Sequence, residues 1–202
     1  MSVRKQVREL AQTIALAVVI FLIARSLVQT FRVEQHSMEP TILDGQYVLV
    51  NRLAYLPVFL RESAVERQVL PAVGRVGILG APERGDIVIF YDPRFSDMHL
   101  VKRVVGLPGE TVEVRGGRVL INGQAIDEPY LKRAINYRFA SRRLGTEEVF
   151  LLGDNRDNSY DSHLFGPVPV EAIVGRAIVL GLSPGALVER FQHAAGQALN
   201  RP

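Results

Sequence analysis

Leu100–Gly123 reads LVKRVVGLPGETVEVRGGRVLING, and this stretch decides the architecture. Leu100–Val105 is a short apolar, β-branched run that Leu107-Pro108-Gly109 breaks. Thr111–Val114 and Arg118–Ile121 follow, joined by Gly116-Gly117, with Asn122-Gly123 directly after. Such dipeptides between β-branched runs signal tight turns, because the turns that suit a hairpin need positive φ. The spacing predicts a hairpin meander. Outward from it, Tyr47–Val50 (YVLV), Asp86–Tyr91 (DIVIFY), Glu148–Leu152 and Ile173–Leu182 read as further strands, punctuated by Asp92-Pro93 and Gly166-Pro167. Many short strands and few long helical patterns predict a mostly β fold, an antiparallel sheet or partly closed barrel over residues 31–183. Ala140–Glu148 reads as a polar connection. Leu56–Leu60 (LPVFL) reads as a buried segment or as a loop touching a membrane surface. In the tail, 184–202, Leu187, Val188, Phe191 and Leu199 fall at roughly helical spacing and predict an amphipathic helix.

The N-terminus has a different texture. Residues 1–9 carry Arg4, Lys5 and Arg8, and Ile14–Ala24 (IALAVVIFLIA) is unbroken apolar sequence. The largely apolar stretch Leu10–Val28 would reach about 28 Å as a helix, near the hydrocarbon thickness of a bilayer. One transmembrane helix over 10–30 is expected, with the basic end in the cytoplasm and the body outside it. Two other readings stay open. One is a cleaved secretory signal ending at Ala24-Arg25-Ser26. The other is a buried core helix.

Composition removes several classes. The chain has 202 residues, net charge +3 and no cysteine. Disulfide frameworks, zinc–thiolate sites and cysteine nucleophiles are excluded. So small a charge excess does not argue for nucleic acid, and none is expected as a partner. Four scattered histidines make a metal centre unexpected, and no cofactor is called for.

With cysteine absent, the candidate nucleophile is a serine. Ser37 lies in Glu34-Gln35-His36-Ser37-Met38-Glu39-Pro40-Thr41, shortly after the apolar stretch. A free hydroxyl is almost wholly protonated at neutral pH and needs a base. His36 is adjacent, and on a strand adjacent side chains point apart. Asp161-Ser162-His163 is too compressed for a triad, and no serine carries the glycine frame of a nucleophile elbow. The lysines are Lys5, Lys102 and Lys132. Lys102 and Arg103 sit side by side in an apolar strand, so alternation turns one of them inward if the sheet is one-sided. Burial lowers a lysine's pKa, and the neutral amine can then take a proton from a serine. Lys102 can equally be an edge-strand charge that blunts aggregation. A third cluster, Gly153–His163 (GDNRDNSYDSH), is a polar loop directly after an apolar strand, either a decorated turn or a site organiser.

Four segments taken together and in order resemble the type I signal peptidases, serine proteases that cut secretory leader peptides. They are Ser37–Thr41 (SMEPT), Arg84–Val88 (RGDIV), Lys102–Gly109 (KRVVGLPG) and Gly153–Ser159 (GDNRDNS) through Asp161-Ser162. The resemblance covers Phe31 to Val179. It implies Ser37 as nucleophile, Lys102 as general base and Ser159 as the hydroxyl that holds the lysine amine. It implies Asp154 and Asp161 as structural supports, and Val33, Ile42 and Val101 as the walls of shallow substrate pockets. The implied substrates are membrane-tethered secretory preproteins with Ala-x-Ala-like residues before the cut. The implied setting is a bacterial plasma membrane, with lipid as a partner and neither metal nor cofactor. Gln35 stands where many members carry a small hydroxyl residue, and its amide is the expected replacement donor for an oxyanion. His163 stands where Arg is frequent, paired with Asp161. The short stretch from Gly109 to Gly153 implies a hairpin where larger members have a second domain. Two rivals remain: a self-cleaving repressor-type Ser–Lys protease, and a non-catalytic membrane-anchored β scaffold.

Overall fold

A computed structural model describes residues 3–55, 80–91 and 98–179. The Leu56–Leu60 patch and the tail over 184–202 lie outside the described residues. Helix α1 (Val3–Leu27) passes directly into strand β1 (Val28–Arg32). Strands β2 (Tyr47–Asn51), β3 (Ile87–Tyr91) and β4 (His99–Gly106) follow. Next come β5 (Thr111–Arg115), β6 (Arg118–Ile121), β7 (Gln124–Ala125) and β8 (Phe139–Arg143). β9 (Glu148–Leu152), the one-turn helix α2 (Ser162–Phe165), β10 (Val168–Pro169) and β11 (Ile173–Val179) complete the order. The fold is mostly β, as expected.

The strands form two antiparallel sheets, a large one in the order β1-β2-β11-β3-β4-β9-β10 and a small one in the order β7-β6-β5-β8. The turn signals act as read. Gly116 and Gly117 take φ of 61° and 78° between β5 and β6, and Asn122 and Gly123 take 52° and 83° between β6 and β7. Successive positive φ values give these turns a twist that matches the flanking strands.

Three boundaries differ from the sequence expectation. Val28–Thr30, assigned to the anchor, belong to β1, where Val28 pairs with Asn51 and Arg32 with Tyr47. Their β-branched residues suit a pleated ladder as well as an apolar span. Part of the expected polar connection is strand β8, exposed along most of its length. Its backbone pairs with β5, with Thr111 opposite Arg143, so its polarity marks an edge position rather than a loop. Consequently the Gly109–Gly153 stretch builds a four-stranded sheet, not a hairpin.

Alternation along β4 and β9 divides the core. Val104 packs with Val88, Phe90, Leu151 and Ile173, whereas Val105 packs with Val112, Phe150 and Leu152 beneath the small sheet. A third cluster joins Val33, Met38 and Ile42 to Val48, Val50 and Ile89. Gly106 sits where the sheets meet. A Cβ there would come within 2.6 Å of Val112 and 2.9 Å of Phe150, so only a hydrogen atom lets the two layers close.

On α1, Leu10, Ile14, Leu16, Ile20 and Phe21 are each more than half exposed. The core-helix reading therefore fails for this face, since a core helix would bury these side chains. Among the described residues, no helix is long and apolar enough to cross a membrane. The side chains of residues 22–27, part of the expected span, lie outside the described residues.

Candidate active site

β4 is the fifth strand of the large sheet, flanked by β3 and β9. It is not an edge strand, so the edge-charge reading of Lys102 is wrong. The one-sided sheet assumed for the Lys102–Arg103 pair is also wrong. Lys102 is 1 % exposed and Arg103 8 %, because the sheet is covered on both faces and both side chains end inside.

The two buried cations meet opposite environments. Lys102 Nζ lies 2.6 Å from Ser37 Oγ, a buried hydrogen bond that links residues 65 positions apart. No carboxylate hydrogen-bonds the amine among the described residues, and its pKa is pushed down to about 8. Desolvation is the main cause, and the more distant charges of Asp161 and Asp154 partly offset it. At about 1.36 kcal/mol per unit, that depression costs the folded state on the order of 3 kcal/mol at neutral pH.

Arg103, by contrast, is fully paired. Its Nε donates to Asp154 Oδ1 at 2.8 Å and its Nη2 to Oδ2 at 2.6 Å. Nη1 donates to the Gly85 carbonyl at 2.8 Å, which joins the Arg84–Val88 segment to the site. The guanidinium lies 3.9 Å over the Tyr130 ring, and Thr41 Oγ1 donates to Asp154 as well. Arg156 repeats the pattern: it forms a buried ion pair with Glu128, which also accepts from Tyr130 Oη at 2.7 Å, and its Nε donates to the Gly153 carbonyl at 3.0 Å.

Ser37, 5 % exposed, sits on the bend between β1 and β2. Buried Met38 and Ile42 anchor that bend in the core, and the peptide between Glu39 and Pro40 is cis. The polar loop after β9 clamps it: Asn155 N–H donates to the Ser37 carbonyl at 3.0 Å, and Asn155 Nδ2 to the His36 carbonyl at 3.1 Å. Gly153 permits this approach, since a Cβ there would lie 2.4 Å from the Ser37 carbonyl oxygen and 2.3 Å from Ser159 Oγ.

The remaining sequence candidates fall as follows. Asp161 is fully buried, accepts from the Gly153 N–H at 3.0 Å and caps α2 through the His163 N–H. His163 Nδ1 lies 2.6 Å from Asp161 Oδ1, and its ring stacks on Tyr137 at 3.9 Å. Ser159 Oγ is buried without a hydrogen-bond partner among the described residues. The expected bond from Lys102 to Ser159 is therefore not formed here, where Ser37 Oγ takes the amine. Val33, Gln35 and Val101 line a cleft of about 330 Å³ beside β1 and the start of β4. Ile42 does not line it; it is fully buried in the core with Val33. His36 is exposed and bonded to Glu39, and His99 packs on Phe31 and Tyr91. Among the described residues no imidazole hydrogen-bonds Ser37 Oγ, which Lys102 meets instead; the fourth histidine, His193, lies outside the described residues. Sequence reasoning missed Thr41, Glu128 and Tyr130 as members of the polar interior. Thr41 lay inside a quoted motif, whereas Glu128 and Tyr130 carried no local signal, since their partners are distant in sequence.

Fold and site together define a class: an antiparallel β protein that buries an unpaired lysine amine against a serine hydroxyl. Residues 7–181 match the family described as signal peptidase, peptidase S26. The chain is 36% identical to the signal peptidase I of Leptolyngbya laminosa, over 83% of this chain and 76% of that protein. It is 32% identical to the signal peptidase I of Pseudomonas aeruginosa, over 81% of this chain and 68% of that one. A signal peptidase I crystal structure from Enterococcus faecalis shares 33% identity, covering 48% of this chain and 97% of that chain with a TM-score of 0.42. This chain belongs to the signal peptidase family and is a serine peptidase.

Proposed function

We propose that this chain removes signal peptides from secretory preproteins with a Ser37–Lys102 dyad. The observation that carries the reading is the buried 2.6 Å contact between an amine held down to about pKa 8 and a serine hydroxyl. Ser37 Oγ attacks the scissile carbonyl while neutral Lys102 takes its proton. The amine returns that proton to the leaving α-amine, and an acyl-enzyme remains. Water activated by the same lysine then releases the signal peptide. The Ser37 N–H and the Gln35 amide stabilise the oxyanion, a class of contact whose loss costs about 10²–10³ in rate. Ser159 Oγ, buried without a partner among the described residues, receives the Lys102 amine when Ser37 Oγ has moved to the substrate carbon. Asp154 and Asp161 hold the loop after β9 in place. Small Ala-x-Ala-like side chains occupy the cleft beside Val33 and Val101. The exposed apolar face of α1 and the sequence Leu10–Val28 support a single membrane anchor, with the N-terminus in the cytoplasm, the body outside it and lipid as the surrounding partner.

The test is preprotein cleavage in detergent by the parent chain and by Ser37→Ala. The parent trims the substrate to its mature form, and Ser37→Ala leaves it intact while keeping the native fold. Turnover by Ser37→Ala would assign the nucleophile elsewhere, and an inactive parent would favour the scaffold reading.

A further inference from the structure

Ser37 sits between two cavities. The residues before it, Phe31–Gln35, line the cleft of about 330 Å³. The residues after it, Glu39, Pro40 and Leu43, line a second groove of about 470 Å³. The far wall of that groove is formed by Lys132 and Arg133 from the small-sheet side and by the Asp154–Asn158 loop. Asn155, which lines the groove, is hydrogen-bonded to the backbone of both His36 and Ser37, so one shared residue links the groove to the Ser37 bend. Along the chain, the cleft-lining residues precede Ser37 and the groove-lining residues follow it.

We propose that this groove holds the segment following the scissile bond, and that Lys132 and Arg133 select an acidic side chain among its first few residues. The inference rests on the peptidase reading above. Its chemistry follows from which charges are already satisfied. Asp154 is paired with Arg103, Arg156 with Glu128, and Glu39 with His36. Lys132 and Arg133 are exposed and have no ion-pair partner among the described residues. Asp157 is the single exposed carboxylate of the groove left without one. The cleft before Ser37 is walled by Val33, Ile89, Leu100 and Val101, which suits small apolar side chains. The groove suits a polar chain end, with Lys132 and Arg133 as its cations without an ion-pair partner among the described residues.

The test uses the full chain in detergent with quenched peptides. All share one Ala-x-Ala cleavage site and differ by Asp, Asn or Lys at the second residue after the cut. Exposed ion pairs are each worth about 0.2–1 kcal/mol, so with two cations the parent should prefer Asp over Lys by about two- to thirtyfold in kcat/KM. Lys132→Glu/Arg133→Glu should invert that ratio, and 0.5 M salt should flatten it in the parent. Arg142→Glu/Arg143→Glu, an equal charge change on exposed β8, should leave the ratio as in the parent. A ratio near one in the parent, a ratio unmoved by the first double variant, or an equal shift in the second, overturns the proposal. A parent that cleaves none of the peptides overturns the peptidase reading, and this inference with it.

Discussion

Two polar regions lie inside this β protein, and they are built on adjacent residues. The region around Arg103 and Arg156 is saturated: each guanidinium has a carboxylate, a backbone carbonyl and a place in a shared network. The region around Lys102 is deprived, with one hydroxyl within hydrogen-bond reach and its carboxylates at a distance. A buried cation with a full set of partners stays charged and fixes structure. A buried cation without them gives up its proton near working pH and becomes a base. The difference teaches that, on the proposed dyad, the interaction withheld from Lys102 is what would make it a base.

The largest effect should come from restoring permanent charge to the deprived region. Lys102→Arg should lower kcat by about 10⁴ or more, the scale seen when a serine hydrolase loses its base, because guanidinium stays protonated. The parent's activity should rise with pH through about 8 as the amine deprotonates. An activity limb centred near pH 6.5 that disappears in His163→Ala would break the comparison. Robbing the saturated region comes next. Asp154→Asn leaves Arg103 buried without its counter-charge and should cost about 3–5 kcal/mol in urea unfolding. A loss under about 1 kcal/mol would show that the network is less dry than it looks.

The third effect has the opposite sign. Lys102→Met should stabilise the fold by about 3 kcal/mol at pH 7 while abolishing cleavage. The folded amine titrates near 8, below its unfolded value of about 10.5, so the unfolded chain binds more protons between those values. Parent stability therefore rises from about pH 8 to 10.5, and the gain of Lys102→Met shrinks to nothing over the same window. A pH-independent gain would point to packing rather than charge burial. The smallest effect is Tyr130→Leu, which removes the ring under Arg103 and should cost about 1 kcal/mol.

The meander from Leu100 to Gly123 was legible because its turn chemistry is local: Gly116-Gly117 and Asn122-Gly123 adopt the positive φ values their composition suggests. Strand β8 was not legible, since an exposed edge strand lacks the apolar alternation that marks a strand. Ordered motifs, with a base-capable lysine as the physical clue, singled out Ser37 and Lys102, and the fold brings these two side chains together. The covering of β4 on both faces was hidden, since it depends on how two sheets and a loop assemble. Glu128 and Tyr130 escaped for the same reason: each matters only through a partner that folding brings near.

One feature of the strand order bears on time. β11 lies between β2 and β3, so the last described strand fills a gap between two of the earliest. Such long-range pairing is slow and waits on the whole chain. During synthesis, the bend bearing Ser37 emerges early, but β2 and β3 lack their shared neighbour until Ile173–Val179 has been made. The enclosure around the Ser37–Lys102 contact therefore waits for Ile173–Val179, and until then the Ser37 hydroxyl lacks the surroundings that bury the amine beside it.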